Sequence, residues 1–154
     1  MSSFLPADAV DVSANDNVGP RLLPMLISLS KSSNALLGLR LAAIGLKIGQ
    51  DEALLEVQRS TAATAATVAT GLCIRPSTAA MLLAQLVEKG LIAGKGAGSG
   101  YGVTPAGLAA QEMVHAVYQK LEQDLLPSGS DAAGLLGELK ELQQGLMRQL
   151  ATMI

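Results

Sequence analysis

Apolar residues recur at helical spacing over most of this chain, and the breaks between those runs mark out its elements. From Arg21 to about Ala42 they fall at Leu22, Met25, Leu26, Leu29, Leu36, Leu37 and Leu41, a helical pattern interrupted by serines. A second helix is expected over about 49–58, with Leu54, Leu55 and Val57 inward and Asp51 and Glu52 outward. The Ala/Thr tract 61–70 reads as a loop running into a short helix over about 65–72. Thr64 is its expected N-cap, because a threonine hydroxyl there accepts a hydrogen bond from an otherwise unpaired N–H. Pro76-Ser77-Thr78 opens the next helix. Its 3.6-residue period turns Ala79, Leu82, Leu83 and Leu86 inward and leaves Ser77, Thr78, Ala80, Met81, Ala84 and Gln85 outward. Glu88-Lys89-Gly90-Leu91-Ile92 ends that helix into a strand, and the glycine-rich run 94–100 makes a hairpin closed by Thr104-Pro105-Ala106-Gly107. A long helix follows over 106–126, with Val114, Val117, Leu121 and Leu125 on one face. After Pro127-Ser128-Gly129, a last helix carries Leu135, Leu139, Leu142, Leu146, Leu150 and Met153 in steps of three and four, a coiled-coil-like seam.

The order short helix, turn, second helix, glycine hairpin across residues 68–107 is that of a winged helix-turn-helix, whose second helix enters the major groove of DNA with the hairpin beside it. The expected fold is mostly α with a small β-hairpin wing: a winged helix over about 45–105, flanked by long helices over about 21–44 and 106–154. One chain of this size does not easily cover three long apolar-striped helices, so a second copy is expected to bury them; closure of the chain's own core is the alternative. Residues 1–20, with Asp8, Asp11, Asp16, two prolines and no sustained period, are expected to form a flexible arm before a single domain over 21–154.

Composition narrows the function classes. The chain is 49% hydrophobic but only 2% aromatic, so its core must be aliphatic. Arg40, Lys47 or glycines interrupt the longest apolar runs before the ~18–20 residues that span a bilayer. With no cationic start and apolar signal core, a cytoplasmic protein is expected. A single cysteine, Cys73, excludes an intramolecular disulfide and a thiolate zinc cluster; it is expected to be an inaccessible apolar filler in a turn. His115, the one histidine, is expected to be structural, with no metal or other cofactor implied. No nucleophile elbow, phosphate loop or triad is present, so an enzyme is not expected. The net charge of −2 hides a segregation. Residues 57–105 hold Arg59, Arg75, Lys89 and Lys95 against Glu88 alone, whereas residues 106–154 hold Lys120, Lys140 and Arg148 against six carboxylates. The hairpin module is thus locally basic, as a DNA-binding surface requires.

Over roughly residues 22–154 the chain resembles the MarR family of dimeric bacterial transcription regulators. The resemblance is carried by the ordered set Gly45-Leu46-Lys47-Ile48-Gly49-Gln50, the segment 68–107, and Thr104-Pro105-Ala106-Gly107. It implies a homodimer interlocked through the first, fifth and sixth helices. It also implies a ligand-responsive repressor of a pseudo-palindromic operator on double-stranded DNA, and a cavity between dimerisation helices and winged helix. A small, often aromatic or phenolic effector in that cavity would shift the spacing of the two reading heads, acting through its differential affinity for the two arrangements.

Candidate DNA-binding residues are Arg75, Ser77, Thr78, Met81, Gln85, Lys89 and Lys95. Ser77 and Thr78 sit where free backbone N–H groups and hydroxyls suit a phosphate. Gln85 matches an adenine edge, and Ala80 or Met81 a thymine methyl. The chain departs from the family where arginines usually stand near Met81 and Gln85, and its short wing keeps Lys95 in place of an Asp-x-Arg pair. Arg75 replaces a common capping Asp. That exchange costs about 1 kcal/mol of cap and places a cation at a helix N-terminus, which marks Arg75 as a phosphate contact. The alternative from another class is a protein-interaction module, because the outward helix face is apolar rather than basic.

Overall fold

The computed structural model describes residues 21–153; the expected N-terminal arm, 1–20, lies outside them. The elements are α1 (Leu22–Ala42), α2 (Gln50–Arg59), α3 (Ala65–Leu72), α4 (Pro76–Glu88), β1 (Ile92–Gly94), β2 (Tyr101–Val103), α5 (Pro105–Leu125) and α6 (Ala132–Thr152). The fold is mostly helical with one small antiparallel hairpin, as the hydrophobic pattern predicts. Two compact units are distinguished, one through Ser33 and one from Asn34 onward.

The first unit holds the N-terminal half of α1, where the side chains are exposed except for half-buried Leu26. Taken whole, α1 is long and apolar enough, by length and composition, to cross a membrane. That corrects the expectation from interrupted apolar runs: Lys31 and Arg40 are the only charges in its 21 residues, and serines fill the remaining gaps.

In the second unit, α2, α3 and α4 enclose an aliphatic core of Ala53, Leu54, Val57, Val68, Ala69, Ala79, Leu82, Leu83 and Leu86, closed by Ala63, Ile92 and Ala110. Side-chain caps start α3, α5 and α6. Thr64 and Thr67 form a reciprocal capping box, the Thr67 N–H donating to Thr64 Oγ1 at 3.2 Å and the Thr64 N–H to Thr67 Oγ1 at 2.8 Å. Thr104 Oγ1 accepts from the Gly107 N–H at 3.1 Å, and Asp131 Oδ1 from the Gly134 N–H at 2.9 Å. Pro76 and Pro105 occupy first turns, where a missing N–H costs nothing.

β1 and β2 pair in the register Ile92 with Val103, Ala93 with Gly102 and Gly94 with Tyr101. Ala63 adds a single bridge to Tyr101, whose N–H donates to the Ala63 carbonyl at 2.9 Å. This bridge explains Gly100: at φ 73° a Cβ there would lie 2.6 Å from the Ala63 carbonyl oxygen, so no other residue fits.

A second cluster joins Leu41, Leu46 and Val114, with Leu37, Ile44, Leu55, Leu91 and Tyr118 packed around it. It fixes the end of α1 and the middle of α5 to the winged helix. Of the α5 face expected to be apolar, Val114 and Leu121 are buried and Val117 half-buried, but Leu125 is exposed. α6 buries no residue at all, and its seam of Leu135, Leu139, Leu146 and Leu150 faces outward.

One expected solvent residue is buried. Asp51, placed outward by the helical period, is 1% exposed. Its Oδ1 accepts from the Gly49 N–H at 2.9 Å and its Oδ2 from the Tyr118 hydroxyl of α5 at 2.5 Å. It stands in the first turn of α2, where the helix dipole favours an anion. Two donors and a dipole offset the loss of water, and Glu52 alone of the pair faces outward.

Candidate nucleic-acid interface

α4 is braced on one side and open on the other. Ala79, Leu82, Leu83 and Leu86 are its buried residues, the set its period predicts. Ser77, Ala80, Met81 and Ala84 are exposed, and Thr78 and Gln85 are half-buried. Met81 keeps 52% of its surface in solvent, a large apolar side chain on an otherwise small and polar face.

The N-terminus of α4 is bare. Arg75 holds the N-cap position in extended conformation (φ −70°, ψ 144°), and no side chain caps the helix. The first-turn amides therefore point to solvent beside an exposed guanidinium and two hydroxyls, a combination suited to a phosphate oxygen.

The other cations are not equally free. Lys89 Nζ donates to the Gly45 carbonyl at 2.7 Å, tying the end of α4 to the α1–α2 connection. Arg59 pairs with Glu56 at 3.5 Å within α2. Lys95 is exposed in the wing, between the strands and a turn in which Gly96, Gly98 and Gly100 all have positive φ. Ser99 N–H donates to Gly96 O at 3.2 Å and Lys95 N–H to Gly100 O at 2.9 Å, so the wing is a closed hairpin despite its glycines.

The structure brings in a residue that the sequence pattern does not single out. Gln50, at the start of α2, is 2% exposed and donates from Nε2 to Gln85 Oε1 at 2.8 Å. It lies within the Gly45–Gln50 segment, but no spacing rule pairs it with a residue 35 positions away.

Two other expectations change. Cys73 is exposed, not a buried filler. It is the C-cap of α3 with φ 55°, the left-handed conformation that ends a helix, and this turns its side chain outward. His115, expected to be structural, is exposed on α5. Among the described residues no group of three or more His, Cys, Asp or Glu is placed to hold a metal ion.

A cleft of about 370 Å³ opens between α2, α3, α5 and α6, lined among others by Glu52, Arg59, Cys73, Tyr118, Gln143 and Met147. Tyr118 forms one wall while holding Asp51. Burial, the hydrogen bond to Asp51 and the negative charges of Asp51 and Glu52 push its hydroxyl above the ordinary tyrosine range, with Arg59 opposing them. The phenol therefore stays protonated and remains a donor.

No family profile and no curated protein matches the chain in sequence. Solved structures do match in shape. MosR, a transcriptional regulator of Mycobacterium tuberculosis, superposes with a TM-score of 0.71 at 16% identity, over 88% of this chain and 99% of its own. CouR of Rhodococcus jostii RHA1, solved bound to p-coumaroyl-CoA, has a TM-score of 0.71 at 14% identity, over 82% of this chain and 92% of its own. An M. tuberculosis MarR-family protein solved in complex with DNA has a TM-score of 0.62 at 18% identity, over 80% of this chain and 94% of its own. From the capped α3, through the half-buried α4 and the closed hairpin, to the long α5 and α6, this chain has the fold of the MarR-family winged-helix regulators.

Proposed function

We propose that the protein is a homodimeric DNA-binding transcription regulator, a ligand-responsive repressor that sets one α4 into each of two major-groove half-sites. One observation carries this reading: α4 is packed on its inner face by four buried apolar side chains while its uncapped N-terminus, Arg75 and Ser77 face solvent. Arg75, Ser77, Thr78 and Lys95 are assigned to phosphates, and Met81 and Gln85 to base edges. Lys89, held by Gly45, contributes charge near the site rather than a free contact. A like-folded protein solved in complex with DNA supports DNA binding by this fold.

The dimer is inferred from α6, which carries an apolar seam and buries no residue against the described part of the chain. The effector is assigned to the 370 Å³ cleft between α2, α3, α5 and α6, a volume that suits a small molecule. The like-folded protein bound to p-coumaroyl-CoA supports small-molecule binding in this fold.

Fluorescence anisotropy of the purified protein against random duplex DNA at low salt tests the central step. Binding at or below micromolar protein, with affinity falling steeply as salt rises, is the expected result. The exposed Met81 favours a second reading, a protein-interaction module, and absence of any duplex binding would put that reading first. Sedimentation of the chain lacking residues 127–154 tests the dimer: a well-folded monomer with a cooperative melt would remove that part of the proposal.

A further inference from the structure

From the apolar outer face of α4 we infer that Met81 reads the C5 methyl group of a pyrimidine in the major groove, so that 5-methylcytosine serves as well as thymine and cytosine methylation raises affinity. This rests on the DNA-binding reading above and assigns the chemical group met by one residue of that site.

The face is defined by what it lacks. No charged side chain stands between Arg75 and Glu88. On the helix surface the neighbours of Met81 are the residues three and four positions away, Ser77, Thr78, Ala84 and Gln85. Ser77 and Ala84 are exposed and small, while Thr78 and Gln85 are half-buried. Gln85 is also bonded to α2, its Oε1 accepting from the Gln50 amide at 2.8 Å. Met81, with 52% of its surface in solvent, is therefore the long side chain at the centre of this face. Small neighbours let the helix come close to the base edges, and an unbranched thioether adapts to the contour it meets.

An apolar tip selects by what it strips of water. Guanine, adenine and unmodified cytosine present hydrogen-bonding groups in the major groove and no methyl. Covering those groups with a methionine leaves them dry and unpaired, which is unfavourable. Thymine alone of the four bases adds a methyl, at C5. 5-Methylcytosine carries the same group at the same ring position. Methionine has no N–H or O–H and only a weak sulfur acceptor, so it does not sense the O4 or N4 that tells the two pyrimidines apart. Met81 thus separates methylated from unmethylated pyrimidines, and not thymine from 5-methylcytosine. Losing one methyl from such a contact weakens binding roughly fourfold, and losing it in both half-sites of a dimer roughly fifteenfold.

Selection of the full-length protein on a random duplex library at low salt, with wild type and Met81→Ala in parallel, locates the contact. It is the base pair whose preference is lost in the variant, and wild type should select thymine there on one strand. Alanine is the best helix former and the position is on the surface, so the variant should fold. Four duplexes are then made that differ only at that pair in both half-sites, holding thymine, uracil, 5-methylcytosine or cytosine, and these change no protein atom. Fluorescence anisotropy should rank thymine over uracil, and 5-methylcytosine over cytosine, each by roughly fifteenfold. Both ratios should fall towards one in Met81→Ala. No preference lost in the variant, wild-type selection of a pair without thymine, equal binding of thymine and uracil, equal binding of 5-methylcytosine and cytosine, or ratios that survive in Met81→Ala would each overturn the assignment while leaving the DNA reading intact. Absence of any duplex binding would overturn the DNA reading and the assignment with it.

Discussion

Replacing Arg75 with aspartate should make the protein more stable and less able to hold DNA, two effects of opposite sign from one side chain. In the structure Arg75 is the N-cap of α4, extended, exposed and without a side-chain hydrogen bond to the first-turn amides. An aspartate there can accept from one of those amides, worth about 1 kcal/mol relative to a non-capping residue. Exchanging a cation for an anion at the positive end of the helix adds roughly 0.3–1 kcal/mol at low salt. At about 2–4 °C per kcal/mol for a chain of this size, the melting temperature should rise by roughly 3–8 °C. Arg75→Ala should raise it by a smaller amount, since alanine caps no better than arginine but removes the cation from the positive end of the helix. On DNA the order differs. With Arg75 and Lys95 as the free cations, a dimer makes about four phosphate contacts, and log affinity should fall with log salt at a slope of about −3.6. Arg75→Ala removes two of these contacts and should bring the slope to about −1.8. Arg75→Asp should bind more weakly still, because it faces the phosphate with a negative charge. Differential scanning calorimetry and salt-dependent anisotropy on the three proteins read both quantities. A melting temperature that falls in Arg75→Asp would show that the helix start is not an open cap. Unchanged affinity and slope in both variants would show that Arg75 touches no phosphate.

Leu83, 1% exposed in the centre of the three-helix core, should cost about 2–5 kcal/mol when cut to alanine, read as a lower urea midpoint with an unchanged slope. Tyr118→Phe should cost about 1–3 kcal/mol by leaving Asp51 Oδ2 without its donor at a buried site. The Tyr118 hydroxyl is raised in the folded state, so its contribution is present below the ordinary tyrosine value of about 10 and is lost as pH rises above it. Alkaline titration of stability should therefore fall more steeply in wild type than in Tyr118→Phe, and parallel curves would contradict the assignment. Cys73, exposed at the end of α3, should react stoichiometrically with a water-soluble disulfide reagent in the folded protein; protection until denaturation would contradict its placement.

Hydrophobic period told most about the elements that bury a stripe. The inner set of α4, the Thr64 cap and the hairpin are all present as the residues imply, because each follows from contacts within a few positions of the chain. The misplacements share one cause. Asp51 reads as solvent-facing because its partner, Tyr118, lies 67 residues away and no local pattern announces a buried carboxylate. Lys89 reads as a free cation until the Gly45 carbonyl appears beside it, 44 residues distant. Cys73 reads as filler from its apolar neighbours, but the backbone turn that ends α3 swings it outward. In the candidate site the residue types were legible and their availability was not: which cations are engaged, and that Gln85 is bonded to Gln50, depend on contacts made across the fold.

The bare seam of α6 carries a consequence for how the protein behaves at different abundances. A 21-residue helix with no buried side chain gains little from its own chain and owes its persistence to whatever covers it. If the cover is a second copy, folding and association are one equilibrium, and the melting temperature must climb with protein concentration. Dilution then acts as a control in its own right. At low copy number the chains would separate, α6 would fray, and two half-sites would each face a lone reading head with little hold on DNA. Occupancy of the operator would rise more steeply than linearly as the protein accumulates, giving a threshold set by mass action before any effector is present.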